Sequence, residues 1–248
     1  MDNEASDIHL KVPAPPALRI HGKLEQIPKA PALAPEDTER FLKEMLGTHV
    51  EKLREFDETG GVDFSHARDG LGRFRVNAFR QRGSVSLVMR AVPFKVPELS
   101  ELNLPESIRT LAQEERGIVL VTGTTGSGKS TTLGAMIDHI NRTEHKHIVT
   151  VEDPIEILHT DRKSIVNQRE VGLDTGSFSD AMRRVMRQDP DIILVGEIRD
   201  LVTMETALSA AETGHLVFST LHTLDATETI NRIIGFFPLH QQQQVRSM

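Results

Sequence analysis

Residues 118–131 read IVLVTGTTGSGKST, and this stretch decides the fold. Ile118–Thr122 is a short apolar run of strand type, and it leads straight into glycines. Gly123-Thr124-Thr125-Gly126-Ser127-Gly128-Lys129-Ser130 fits G-x-x-x-x-G-K-[ST] at every fixed position. Glycines let a backbone wrap closely around phosphates, with amide hydrogens pointing inward at the positive end of the next helix. That helix is expected over Thr131–Ile140. Lys129 is placed to reach the outer phosphates of a nucleotide, and Ser130 to offer a hydroxyl to magnesium. The candidate binding set is Gly123, Thr124, Thr125, Gly126, Ser127, Gly128, Lys129, Ser130 and Thr131, with ATP and Mg2+ as ligands.

Downstream, short apolar strands alternate with amphipathic helices. Strands are expected at His147–Val151, Ile192–Val195 and Leu216–Ser219, and helices at Ser177–Gln188 and Leu201–Thr213. Ser177 with Asp180, and Asp225 with Glu228, have the spacing of helix N-caps. Such alternation predicts a mostly parallel sheet covered on both faces, with ligands beyond the C-terminal strand ends. Polar residues follow those ends repeatedly. V-E-D-P-I-E places Glu152, Asp153 and Glu156 after the strand at 147–151, where a carboxylate can orient or deprotonate water. I-I-L-V-G-E places Glu197 after the strand at 192–195, to bind magnesium or polarise water. His222 follows the strand at 216–219 and can donate a hydrogen bond to a terminal phosphate without a fixed charge. Asp189, Asp191 and His215 precede their strands and fall at the opposite end. Arg199 and Asp200 read as pairing or helix-capping groups.

Upstream of Pro97 the pattern changes. Asp7–Val12 and Leu18–Leu24 alternate polar and apolar residues. A helix is expected over Glu36–Leu46, then strands at Val62–His66, around Phe74–Arg80, and at Val85–Val92. This is a smaller α+β domain over residues 1–97. A linker follows at 98–104, and the P-loop core at 105–248, with Leu104–Gln113 as its first helix. Arg73, Arg75, Arg80, Arg82 and Arg90 crowd into 18 residues. Three readings of them stand: nucleic-acid binding, an arginine that neutralises charge on a transferred phosphoryl group, and salt bridges on a solvated sheet face.

Composition sets the bounds. The chain has 248 residues, net charge −7 and no cysteine. The acidic balance and the lack of tyrosine and tryptophan argue against a dedicated nucleic-acid binder. No disulfide framework or thiol nucleophile is available. No apolar run reaches membrane-span length and no signal-peptide core opens the chain, so a cytoplasmic location is the default.

Four blocks together resemble the secretion and type IV pilus ATPases: GTTGSGKST, VEDPIE, DPDIILVGEIRD and TGHLVFSTLHT, with ASDIHL near the N-terminus. RFRVNAFRQRGSVS and VNQREVG look most like the retraction branch, the PilT type. The resemblance implies a RecA-like P-loop domain behind a PAS-like N-terminal domain, assembled as a homo-hexamer. It implies Glu156 as general base, Glu197 assisting at magnesium beside Ser130, and His222 near the γ-phosphate. It places the nucleotide-reaching arginines on Arg75 and Arg90. It also implies an inner-membrane platform protein as partner, a position on the cytoplasmic face of that membrane, no direct nucleic-acid partner, and pilin disassembly as output.

The chain departs from the family at both ends. Little precedes Ser6, and it stops at Met248 where the family continues through further helices. On this reading it is truncated and its C-terminal helices are missing. Two rivals remain: a pilus assembly or type II secretion ATPase of the same superfamily, and a catalytically impaired nucleotide-binding scaffold.

Overall fold

The computed structural model describes residues 5–47, 49–93 and 96–247. The chain divides into two compact units, Met1–Pro93 and Phe94–Met248.

The first unit is an antiparallel sheet with two helices on one face. Its strands are β1 (Ala5–Leu10), β2 (Ala17–Ile20), β3 (Lys23–Gln26), β4 (Gly61–Arg68), β5 (Gly72–Gln81) and β6 (Ser84–Ala91), in the order β3-β2-β1-β6-β5-β4. Helices α1 (Pro35–Leu46) and α2 (Val50–Thr59) follow β3. Alternation sorts the two faces. Leu10, Val76, Ala78, Val85 and Leu87 pack with Leu42, Leu46 and Phe56 of the helices. The single strand expected at Leu18–Leu24 is two strands joined by a tight turn. His21 and Gly22 both have positive φ (46° and 81°), so the chain reverses there. Helix α2 was not expected; its apolar face is short, with Phe56 its one buried residue.

On the face away from the helices, one register row crosses five strands. Arg19 pairs with Asp7, Asp7 with Arg90, Arg90 with Arg75, and Arg75 with Ser65. Arg73 and Arg75 share this face. Arg80 turns to the other, where it lies over the Phe56 ring at 5.0 Å and 3.8 Å from Asp57. That contact gives Arg80 a structural role.

The second unit is built on five parallel strands: β7 (Gly117–Thr122), β8 (His147–Glu152), β9 (Ile165–Glu170), β10 (Ile192–Val195) and β11 (Leu216–Leu221). Their order is β7-β11-β10-β8-β9, parallel throughout. The helices are α3 (Glu106–Ala112), α4 (Lys129–Thr143), α5 (Phe178–Val185), α6 (Leu201–Glu212), α7 (Ala226–Gly235) and α8 (Gln242–Val245). Strand residues alternate between two cores. Ile148, Ile192, Leu194, Leu216 and Phe218 pack on Met136, Ile137 and Ile140 of α4. Val149, Val151, Ile193, Val195 and Val217 pack on Met182 and Met204 of α5 and α6. Val96, Leu99 and Leu102 also join the α4 core. The expected N-caps form: Ser177 accepts from the Asp180 amide, and Asp225 from the Glu228 amide. Asp200 caps α6 through the Thr203 amide.

Asp7 is 4% exposed, and its Oδ1 accepts from Arg90 Nε at 2.9 Å while Arg19 Nε lies 3.8 Å from Oδ2. Burial opposes its charge, but the Ser6 hydroxyl and the guanidinium groups of Arg90 and Arg19 outweigh it, and its carboxyl titrates below the usual range. The stability this pairing lends is present above the unfolded value and lost as the pH falls through the folded one. Asp7→Asn should lower the stability of the first unit by about 1–2 kcal/mol in urea unfolding at neutral pH. The deficit should shrink as the pH falls below about 4, the ordinary aspartate value, toward the lower value of the folded state. An equal deficit at both pH values rules out the ion pair as its source.

Candidate nucleotide-binding site

Parallel pairing puts the C-terminal ends of β7, β8, β10 and β11 at one edge of the sheet, and a cleft of about 430 Å³ opens there. The phosphate loop forms one side. Gly123, Gly126 and Gly128 have φ of 146°, 80° and 95°, a region that β-carbons disfavour. At Gly123 a β-carbon would also sit 2.6 Å from Ser127 Oγ. Helix α4 begins at Lys129, two residues earlier than expected, so this lysine belongs to the first helical turn. Its Nζ donates to the loop's own carbonyls, at Gly123 (3.0 Å) and Thr124 (2.8 Å). The ammonium is thus tethered inside the loop. A glycine cradle, a lysine at its centre and a helix N-terminus beneath it suit a nucleotide's phosphates. Ser130 and Thr131 line the same cleft.

The opposite side carries Glu152, Asp153, Glu156, Glu197 and His222. All three catalytic candidates of the second unit are therefore brought to the cleft. Gly196 explains why a glycine stands between β10 and Glu197. A β-carbon there would meet the Glu152 Cα and the Val151 carbonyl, each at 3.4 Å. Its amide donates to that carbonyl at 2.8 Å, and its own carbonyl accepts from the Thr220 hydroxyl at 2.7 Å. Glu197 is thereby held one residue beyond the sheet. One of its oxygens accepts from Arg199 Nη2, and the other lies 3.9 Å from His222 Nε2. Arg199 also sits 3.8 Å from Asp153. The hydrogen bond to Glu197, with the charges of Glu197 and Asp153, raises the Arg199 pKa further. Arg199 pairs with Glu197, whereas Asp200 caps the helix.

At the far end of the sheet Asp191 accepts from the His147 amide at 2.7 Å, and the His215 ring lies 3.0 Å from the Ala210 carbonyl. Both are structural, as their positions before the strands foretold. Arg75 and Arg90 are carried by the first unit as cross-strand neighbours.

Sequence reading finds no strand over 165–170, where β9 pairs with β8. With that strand it missed Gln168 and Glu170. Gln168 Nε2 donates to Glu152 Oε1 (3.0 Å) and to the Ile157 carbonyl (2.8 Å), and its Oε1 accepts from the His159 amide (2.8 Å). Glu170 accepts from the Ile155 amide at 3.0 Å. The Q-R-E alternation was the available signal, since residues 168 and 170 share one face of a strand.

The sequence pattern of the family described as type II/IV secretion system protein matches residues 1–242. The chain belongs to that family. This secretion-family chain is 48% identical to the type IV pilus retraction ATPase PilT of Pseudomonas aeruginosa, over 98% of its own length and 70% of that protein's. It is 46% identical to a twitching motility protein of Neisseria gonorrhoeae, over 94% of its length and 62% of that one's. A crystal structure of the pilus retraction motor PilT with bound ADP superposes with a TM-score of 0.90 at 53% identity, covering 99% of this chain and 71% of the other. The two-unit architecture, with a RecA-like P-loop core, is that of the family. The secretion-family chain has, among its described residues, no helix long and apolar enough to cross a membrane.

Glu152 gives this site a pH signature. Burial pushes its carboxyl above the ordinary range, although Thr150, Gln168 and the Glu156 amide all donate to it. A carboxyl raised in the folded state costs stability as the pH climbs from the unfolded value through the folded one. Glu152→Gln removes that cost. The Tm of the variant minus that of the parent should therefore grow more positive as the pH rises above about 4.3, the ordinary glutamate value. A difference that stays flat with pH contradicts a half-buried Glu152 carboxyl raised by its surroundings.

Proposed function

We propose that this chain is an ATPase whose turnover drives retraction of a type IV pilus, acting as a ring of six copies. One observation carries the reading: the phosphate loop, Glu156, Glu197 and His222 converge on one cleft in a chain 48% identical to a retraction ATPase.

The loop amides and Lys129 hold the β- and γ-phosphates. Glu156 takes a proton from water as the water oxygen attacks the γ-phosphorus. The bond from that phosphorus to the β–γ bridging oxygen breaks, leaving ADP and phosphate. Magnesium, when bound, supplies positive charge across the outer phosphates; Ser130 Oγ and the Glu197 carboxylate would hold it. Arg199 engages one Glu197 oxygen, which leaves the second, 3.9 Å from His222 Nε2, for the metal. His222 stands by the γ-phosphate and registers its loss. Arg75 and Arg90 complete the site from a neighbouring subunit. Their place side by side on one sheet face, with the Arg90 side chain largely exposed beside Asp7, supports that reading. The ring passes its motion to an inner-membrane platform protein from the cytoplasmic side.

Turnover per subunit should climb with protein concentration as subunits associate, and Arg90→Ala should flatten the climb. Glu156→Gln should bind nucleotide normally while losing about 10²–10⁴-fold in kcat. In a bacterium lacking its own retraction ATPase, the parent chain should restore twitching and Glu156→Gln should not. Rescue of an assembly-deficient strain instead would favour the assembly ATPase.

A further inference from the structure

The turn that carries Glu156 does not hold itself. Residues 153–159 make no strand or helix, so their backbone groups need partners from elsewhere. Three side chains supply them. Glu152, the last residue of β8, accepts from the Glu156 amide at 3.5 Å. Glu170 of β9, 4% exposed, accepts from the Ile155 amide at 3.0 Å. Gln168 of β9 donates to the Ile157 carbonyl and accepts from the His159 amide, both at 2.8 Å. The two Gln168 contacts straddle the segment just after Glu156. Its Nε2 also donates to Glu152 Oε1 at 3.0 Å, and Thr150 Oγ1 donates to the same oxygen at 2.7 Å. Gln168 is thus the common partner of the turn and of the carboxylate that meets the Glu156 amide.

We propose that Gln168 is a positioning residue for the hydrolytic step: through Glu152, Ile157 and His159 it fixes the direction in which Glu156 meets the attacking water. This rests on Glu156 being the base. The amide of glutamine is required because the position must donate on one side and accept on the other. Leucine fills the space and does neither. Glutamate accepts from His159 but faces the Glu152 carboxylate with a second one. Two carboxylates that close cannot both ionise cheaply, so they share a proton at low pH and repel at high pH. Gln168→Glu therefore turns the clamp into a pH-dependent one.

The test is steady-state ATP hydrolysis by the full chain with magnesium, for the parent, Gln168→Leu, Gln168→Glu and Glu156→Gln, across pH. It is paired with fluorescent-nucleotide binding and amide exchange at His159. Gln168→Leu should lose about 100-fold in kcat, the scale of a misplaced catalytic group, with KM and nucleotide affinity unchanged and His159 protection lost. Gln168→Glu should regain kcat as the pH falls and lose it as the pH rises, against the parent profile. If Gln168→Leu keeps the parent kcat while Glu156→Gln is inactive, positioning is wrong and the base stands. If nucleotide affinity falls together with kcat, and Gln168→Glu shows the parent's pH profile, Gln168 merely supports the cleft and the proposal is overturned. If Glu156→Gln turns over normally, the assignment of the base fails and the positioning role of Gln168 falls with it, whatever Gln168→Leu does.

Discussion

Parallel hydrogen bonding among β7, β11, β10 and β8 is the constraint on which the rest of the second unit depends. Parallel strands point their carboxyl ends the same way, so the residues after Thr122, Glu152, Val195 and Leu221 meet at one edge. An antiparallel strand anywhere in that set would send its polar tail to the far edge, where Asp191 and His215 already sit. The apolar strands enforce the arrangement. Each buries side chains into both cores, so a one-residue slip would exchange the two helical layers. The cleft is a by-product of burying Phe218, Leu194 and Ile193.

Around that cleft, positive and negative groups are paired before any ligand is considered. Lys129 is tied to two carbonyls, and Glu197 to Arg199. Lys129 keeps a third donor for a phosphate, and Glu197 has a second carboxylate oxygen beyond the one on Arg199, so a ligand adds to these pairings. Glu152 is different. It is half-buried at the cleft wall, held by Thr150 and Gln168, and partial burial opposes its charge.

Much of this was legible in the chain. The phosphate loop reads directly because only glycines tolerate its left-handed backbone. Glu197 and His222 read as candidates because each follows an apolar run, whereas Glu156 is set apart from Glu152 and Asp153 only by the resemblance to the family. The misses have physical reasons. β9 reads poorly because Asn167, Gln168, Arg169 and Glu170 give an edge strand little hydrophobic signal; its stability comes from the ladder to β8. The hairpin at His21-Gly22 was hidden because the alternation runs on through it, and only backbone angles reveal the reversal. α2 lacks a wide apolar stripe. Strand alternation already puts Arg75 and Arg80 on opposite faces, but what occupies Arg80, the Phe56 ring of α2, belongs to a helix the sequence does not announce.

Gly134, in the second turn of α4, lies against Ile157: a β-carbon there would stand 2.5 Å from Ile157 Cδ1. The helix that starts at the phosphate-binding lysine and the turn that carries Glu156 touch with no spare atom between them. The two segments therefore share one dimension, and a change in one is felt by the Ile157 tip of the other. A methyl group added to the helix calls for a turn of the Ile157 side chain, whose Cγ1 and Cβ stand 3.7 and 3.8 Å away. Positions 134 and 157, distant in sequence, form an epistatic pair: the cost of changing one depends on the occupant of the other.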